Sequence, residues 1–326
     1  MQKHKSQQFS YNTPVLLLIF NRPEKFICLI NVLRLVKPTV IYIAGDGPRR
    51  GSPLDSTLVK KTRQLISKID WNCEIRTLFN SKNLGCRKSV SAAIGWFFEN
   101  VNEGIILEDD CIPDTSFFKF ANQMLVKYRS DTRIMSIGTQ HFAGINHKIK
   151  DSYFFSRHVH CWGWATWKRA WSLYDKDMKN WPKLSRTRWL YSVGGNDIYF
   201  ERYWKEIFNN CFEGKIDSWA YRWLFSCWSQ NGLSILPAVN LVTNIGFGSD
   251  STHTAKGNDV TENLPIEIMN FPLKHPTTCV PDFYSDKWTD KYVFEISAWS
   301  AFKSIIAKVS WLRNIVVKFK GIVIKK

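Results

Sequence analysis

The chain has 326 residues, 44% of them hydrophobic, and a formal charge of +17; that is enough apolar content for one large domain or two modest ones and excludes a disordered chain. Its eight cysteines are scattered without a CxxC pair or zinc-finger spacing, which argues against a disulfide framework or zinc module and fits a reducing cytosol. Residues 1–12 are polar, and the apolar run that follows, residues 15–20, is too short for a signal peptide or a membrane span.

Residues 14–20 read as a continuous apolar strand, of the kind buried on both faces of a parallel sheet. Asn21 as cap, Pro23 in the first turn and Glu24 completing a capping box predict a helix, with Phe26, Leu29, Ile30 and Leu33 on one face. A second strand over 39–44 ends in Gly45-Asp46-Gly47-Pro48, and a polar helix follows over 56–69. Residues 73–79 read as a third strand, 88–101 as a helix and 104–107 as a fourth strand. Repeated βα units predict an α/β fold, a Rossmann-like three-layer α/β/α domain with a mainly parallel sheet.

The second half changes character, with ten tryptophans between residues 162 and 228. Helices are expected over 197–212 and 218–230 and a strand over 233–243, leading into a glycine-rich polar stretch over 246–253. Residues 271–281, rich in proline, read as a connection. Residues 296–326 carry seven Lys and Arg and no acid, with Phe302, Ile305, Trp311 and Leu312 between them. This basic helical tail suits an anionic membrane surface. Packing on the main domain is a second reading, and nucleic-acid binding the least favoured.

The fourth strand ends in three consecutive carboxylates, Glu108-Asp109-Asp110. Three anions repel one another unless something cationic sits among them, and strand ends of an α/β sheet open onto the ligand crevice. The cluster is therefore placed to hold a divalent metal against a phosphate-bearing ligand. A solvated loop of charge is the plainer alternative.

The order Phe20-Asn21-Arg22, Gly45-Asp46-Gly47, Leu107-Glu108-Asp109-Asp110 and Asp217-Ser218-Trp219 resembles the GT-A glycosyltransferases, most closely the N-acetylglucosaminyltransferase I type, over residues 13–255. Gly163-Trp164 leading to Trp181-Pro182, and Asn244-Ile245-Gly246-Phe247-Gly248, resemble two further segments of that family. Asn83-Leu84-Gly85-Cys86-Arg87-Lys88-Ser89 resembles a pattern in bacterial proteins of unassigned sugar specificity. The resemblance implies a GT-A domain over 1–255 (donor half 13–115, acceptor half 150–255), a connecting segment over 256–295 and the tail over 296–326.

It also implies roles. Arg22 and Asp46 would contact the uridine, Asp110 would bind the metal directly, and Glu108 and Asp109 would touch the ribose or metal-bound water. Asp217 would be the catalytic base, although Ser218 stands where the family has a second acid; Asp250 is the reserve. His253 would be a second metal ligand, as a late histidine is in several GT-A enzymes, or else a surface or diphosphate-contacting histidine. On their own chemistry, Arg22 also suits a first helical turn, Asp46 a turn and Asp217 a helix N-cap. Arg87 and Lys88 at a helix start suit the donor phosphates or plain exposure. Trp162 and Trp164, with Trp219, are candidates for the acceptor's sugar-stacking wall or for the core.

A sugar nucleotide leaving as a diphosphate needs a fixed cation, which Mn²⁺ or Mg²⁺ supplies, and the attacking hydroxyl must lose its proton to a carboxylate. The expected protein is thus a metal-dependent, inverting hexosyl- or N-acetylhexosaminyltransferase. It would use a nucleotide-diphospho-sugar, with UDP as the expected nucleotide, and a glycan or lipid-linked acceptor in surface polysaccharide synthesis. Its expected place is the cytoplasm, peripheral to the cytosolic membrane face. The alternative is a catalytically silent sugar- or nucleic-acid-binding protein on the same scaffold, which the basic tail favours.

Overall fold

The first half of the chain winds as predicted, through β1 (Val15–Ile19), α1 (Pro23–Val36), β2 (Val40–Gly45), α2 (Pro53–Gln64), β3 (Glu74–Phe79), α3 (Cys86–Asn100) and β4 (Glu103–Glu108). The computed structural model describes residues 12–246 and 264–298. Next come β5 (Cys111–Pro113), α4 (Ser116–Lys127), β6 (Ile134–Ile137), β7 (Tyr153–Ser156) and β8 (Trp164–Trp167). The Trp-rich region then supplies the short helices α5 (Lys168–Trp171), α6 (Trp181–Leu184) and α7 (Trp189–Val193) and the longer α8 (Ile198–Phe212) and α9 (Trp219–Ser229). β9 (Leu233–Pro237), β10 (Val242–Asn244) and α10 (Phe283–Trp288) follow, and a π-helical turn over Thr289–Val293 continues α10.

Eight strands form one mixed, mainly parallel sheet in the order β3-β2-β1-β4-β8-β6-β9-β7, and β10 pairs with β5 in a small second ladder. β1 is wholly buried because both of its faces are covered, and its side chains alternate between two cores. Val15, Leu17 and Ile19 meet α1 and α4 through Phe26, Leu29, Leu33, Phe117 and Met124. Leu16 and Leu18 meet α3 and α9 through Ile94, Phe97, Trp219 and Trp223. A third cluster, with Trp204, Phe208, Phe225 and Trp228, packs α8 against α9. The Rossmann-like three-layer architecture follows from this alternation.

Several boundaries differ from the sequence expectation. Asn21 does not cap α1: Arg22 occupies the N-cap position without a side-chain cap, and the Asn21 amide donates to Asp55 Oδ1 at 2.8 Å. α2 starts earlier than its polar pattern suggested, because Ser52 caps it by accepting the Asp55 N–H. The segment read as one strand over 233–243 is two, β9 and β10, in different ladders. Residues 164–167, for which no element was expected, form β8, which runs antiparallel to β4 with Trp164 opposite Ile106.

The connecting segment packs on the domain. Its Lys274 carbonyl accepts the Ser152 N–H at 2.9 Å, and Asp282 N–H donates to the Phe155 carbonyl at 2.7 Å on the edge strand β7. Residues 247–263, which include Asp250 and His253, and residues 299–326 of the basic tail lie outside the described residues. Among the described residues no helix is long and apolar enough to cross a membrane.

Candidate functional site

The parallel register aligns Leu18 with Glu108 and Ile19 with Gly45, so β1, β2 and β4 finish level at one edge of the sheet. Each strand then delivers its charged residue to the same crevice. Asp109 N–H donates to the Leu18 carbonyl at 3.0 Å, and Asp109 Oδ2 accepts the Phe20 N–H at 3.1 Å. The acidic corner is thereby knitted to the end of β1. Arg22 Nη1 reaches Asp110 Oδ2 at 2.5 Å and Asp109 Oδ1 at 3.4 Å.

Asp109 and Asp110 are only 4% and 7% exposed. Burial, then the neighbouring negative charges, push Glu108 and Asp109 well above the ordinary carboxylate range, with Arg22 pulling the other way. Burial opposes the charge on Arg22, but the three carboxylates more than offset it and hold the guanidinium cationic. β10 closes over the corner: Ile245 N–H donates to the Asp110 carbonyl at 2.9 Å. A Cβ at Gly246 would fall 2.1 Å from Asp110 Oδ2, so the backbone can approach this carboxylate only at a glycine.

This oxygen-only donor set, tight against a glycine cradle, suits a hard divalent cation. Among the described residues no three His, Cys, Asp or Glu side chains form a preformed cage. The corner therefore fits an ion shared with a ligand's own oxygens better than one enclosed by protein. Asp110 is the side chain on which such an ion would rest.

Asp46 has a different surrounding. Its Oδ1 accepts from Gly47 N–H, Asn80 Nδ2 and Leu84 N–H at 2.9, 3.1 and 3.0 Å, and its Oδ2 from Leu84 and Gly85 N–H at 3.0 and 3.1 Å. Arg63 donates to the carbonyls of Asp46 and Asn80 beside it. Asp46 thus pins the loop over 80–85 that leads into α3. That loop ends in Gly85 at φ +83°, a conformation natural to glycine. It sets Arg87 and Lys88 in the first turn of α3, which begins at Cys86, before the start at residue 88 that the sequence suggested.

Across the crevice, Arg87 Nε donates to Asp217 Oδ1 at 2.7 Å, joining residues 130 apart in sequence. Lys88 is exposed. Asp217 is not the N-cap of α9: Ser218 is, accepting the Tyr221 N–H. The Asp217 carboxylate is left on the crevice, about half exposed. Cys86 ties the two sides together. Burial pushes its thiol up to about 12, Glu108, Asp217 and Asp46 add to the rise, and Arg22 opposes it. One half-buried thiol thus lies within charge range of all four.

Two of the aromatic candidates are core residues. Trp164 is 1% and Trp219 4% exposed, stacked on each other at 5.8 Å, and rings so enclosed offer no face to a sugar. Trp162 is half-buried beside them; its carbonyl accepts from Thr139 Oγ1 and Gln140 Nε2, both at 2.6 Å, and ties down the loop after β6.

Sequence reading missed Arg222. It is 3% exposed and donates to the carbonyls of Lys176, Ser218 and Cys211, bracing the turn that presents Asp217. The signal was an arginine alone among Trp219-Ala-Tyr-Arg222-Trp-Leu-Phe225. Arg222→Met would orphan these buried acceptors at a cost of about 3 kcal/mol, lowering the thermal unfolding midpoint by roughly 5 °C. An unchanged midpoint would show that the carbonyls find water instead.

No family model matches the chain, and no curated protein matches it. Among solved structures it is similar to the mannosyltransferase PcManGT from Pyrobaculum calidifontis in complex with GDP-Man and Mn2+, at 9% identity and a TM-score of 0.31, covering 48% of this chain and 45% of that one. The match thus spans less than half of that mannosyltransferase's length. It is also similar to HddC from Yersinia pseudotuberculosis, at 13% identity and a TM-score of 0.29, covering 48% of this chain and 77% of that one. A third is 4-diphosphocytidyl-2C-methyl-D-erythritolsynthase from Anaerococcus prevotii DSM 20548, at 10% identity and a TM-score of 0.30, covering 50% and 75%. Overlaps this loose carry no chemistry to this chain, and the site has to be read from its own residues.

Proposed function

We propose that the protein is a metal-dependent, inverting glycosyltransferase that moves a hexosyl or N-acetylhexosaminyl unit from a nucleotide-diphospho-sugar, with UDP as the nucleotide, to a glycan or lipid-linked acceptor. The observation that carries this reading is the crevice itself: a buried acidic corner with an arginine on one side, and a half-exposed carboxylate beside a second arginine on the other. A Mn²⁺ or Mg²⁺ ion held on Asp110 would supply positive charge to the departing diphosphate. Glu108 and Asp109 would face the ribose and the water of such an ion, and Arg22 keeps their charge in check.

Arg87 and Lys88, at the amide-rich start of α3, bind the diphosphate. Asp46 positions the loop that carries them. Asp217 takes the proton from the acceptor hydroxyl as its oxygen bonds to the anomeric carbon and the bond from that carbon to the diphosphate breaks. Attack from the face opposite the leaving group inverts the anomeric centre. Arg87 has two partners in this scheme, so an arriving diphosphate draws it from Asp217 and leaves that carboxylate free to act as base. Trp162 remains the acceptor-side aromatic, and His253 a second ligand for the ion. The tail over 296–326 would keep the enzyme at the cytosolic face of an anionic membrane.

Thermal unfolding with UDP and Mn²⁺ tests the reading directly. At about 100 times its dissociation constant a ligand stabilises by about 2.7 kcal/mol. The expected shift appears with UDP and Mn²⁺ together and is absent with UDP alone. Indifference to both, with salt-sensitive RNA binding, would replace the enzyme by a silent binding module. A hydrolysis screen of nucleotide sugars with Mn²⁺ then identifies the donor.

A further inference from the structure

The helical segment over 283–293 is built the wrong way round for a soluble domain. Its inward face is polar: Ser285, Asp286, Thr289 and Asp290 are between 2% and 5% exposed. Its outward face is aromatic: Phe283 is 65%, Tyr284 49% and Tyr292 40% exposed, and Trp288 is partly exposed between them. Tyr284, Trp288 and Tyr292 follow a spacing of four, and the last two rings touch at 4.8 Å.

The inward acids explain how such a helix is held. Asp286 accepts from Ser156 Oγ at 2.6 Å and from Arg157 N–H at 3.3 Å, and Asp290 pairs with Arg157 and with His158 at 3.0 Å. Lys287 Nζ reaches Asp197 Oδ2 at 2.8 Å and the Gly194 carbonyl at 3.2 Å. These bonds fix the helix beside the start of α8, where Ile198 and Tyr199 are 49% and 41% exposed. Polar anchoring inward turns the apolar rings toward the surface, with Tyr284 lying against the His147 ring at 4.4 Å.

We propose that this face, Phe283, Tyr284, Trp288 and Tyr292 with Ile198 and Tyr199, is the surface on which the protein lies against an anionic lipid bilayer. Tyrosine and tryptophan favour the headgroup level because each joins an apolar ring to a polar tip, and lysine adds attraction to anionic lipid. Lys291, exposed in the same segment, stands over the Tyr292 ring. Charge complementarity extends along the chain, since residues 299–326 hold seven Lys and Arg and no acid. Two weak signals together make a stable anchor where one alone is marginal. The inference is independent of the donor chemistry.

Cosedimentation of the full chain with vesicles tests it. The unaltered protein binds phosphatidylcholine vesicles containing phosphatidylglycerol and not pure phosphatidylcholine. The triple variant Tyr284→Ser, Trp288→Ser, Tyr292→Ser, with the tail intact, binds the anionic vesicles about tenfold more weakly or worse. Lys291→Glu, a single exposed charge reversal that leaves the anchoring acids alone, weakens binding in the same direction, and both variants keep the wild-type unfolding midpoint. Equal vesicle binding by the triple variant would overturn the proposal and leave the tail as sole contact. So would no binding by the unaltered chain, or a triple variant whose only change is weaker self-association. The UDP and Mn²⁺ shift, measured without lipid, reports separately on the active site.

Discussion

Asp110→Ala is expected to lower metal-dependent turnover of the nucleotide sugar by about three orders of magnitude, the several kcal/mol that a correctly held cation contributes at a departing diphosphate. The same variant should be at least as stable as the parent without metal. Its side chain contributes repulsion to an already crowded corner, raising Glu108 and Asp109, and Arg22 keeps Asp109 as a partner when Asp110 is gone. The pairing of lost activity with undiminished stability separates a ligand-binding role from a structural one. Full activity, with the UDP shift still dependent on Mn²⁺, would remove the metal from Asp110.

Asp217→Asn comes next in size, with turnover falling by about 10²–10⁴-fold as general-base catalysis is lost. Nucleotide binding should survive, because Arg87 loses only an ion pair that the arriving diphosphate would break in any case. Stability should hardly move: Asp217 is about half exposed, caps nothing and meets Arg87 in a solvent-screened ion pair. The check is a split in which the UDP and Mn²⁺ shift persists while product formation falls. A product that keeps the donor's anomeric configuration would remove Asp217 from this role altogether.

What could be read from the sequence divides along physical lines. β1, β2 and β4 were legible because each is an apolar run buried on both faces, and such runs need no partner to be recognised. The acidic corner was legible for the opposite reason, since three adjacent carboxylates after an apolar strand stand out against it. β5, β6, β7 and β8 were not. They are three or four residues long, and β8 is a strand because β4 and β6 flank it, with Gly104 and Ile106 of β4 opposite Thr166 and Trp164 and Ile137 of β6 opposite Ala165.

The site shows the same division. Arg87 and Asp217 were each visible, but nothing in a linear sequence couples residues so far apart. Asp46 was seen as important between its glycines, yet its partners Leu84 and Gly85 offer only backbone N–H groups, which leave no trace in side-chain identity. Trp164 and Trp219 looked as available as Trp162 because a tryptophan's exposure is set by tertiary packing. The segment ending in α10 defeated pattern reading most fully: its buried aspartates resemble a solvated face, and its exposed rings a core.

The arginine among the carboxylates fixes the electrical account of the crevice. Three potential anions less one permanent cation leave two charges to be met, the valence of a single alkaline-earth or manganous ion. Because Glu108 and Asp109 hold protons more firmly than free acids do, loading that ion must expel hydrogen ions into solvent. On the proposed reading, occupancy by such an ion would therefore strengthen as the medium turns alkaline across neutrality, the corner giving up protons as it fills.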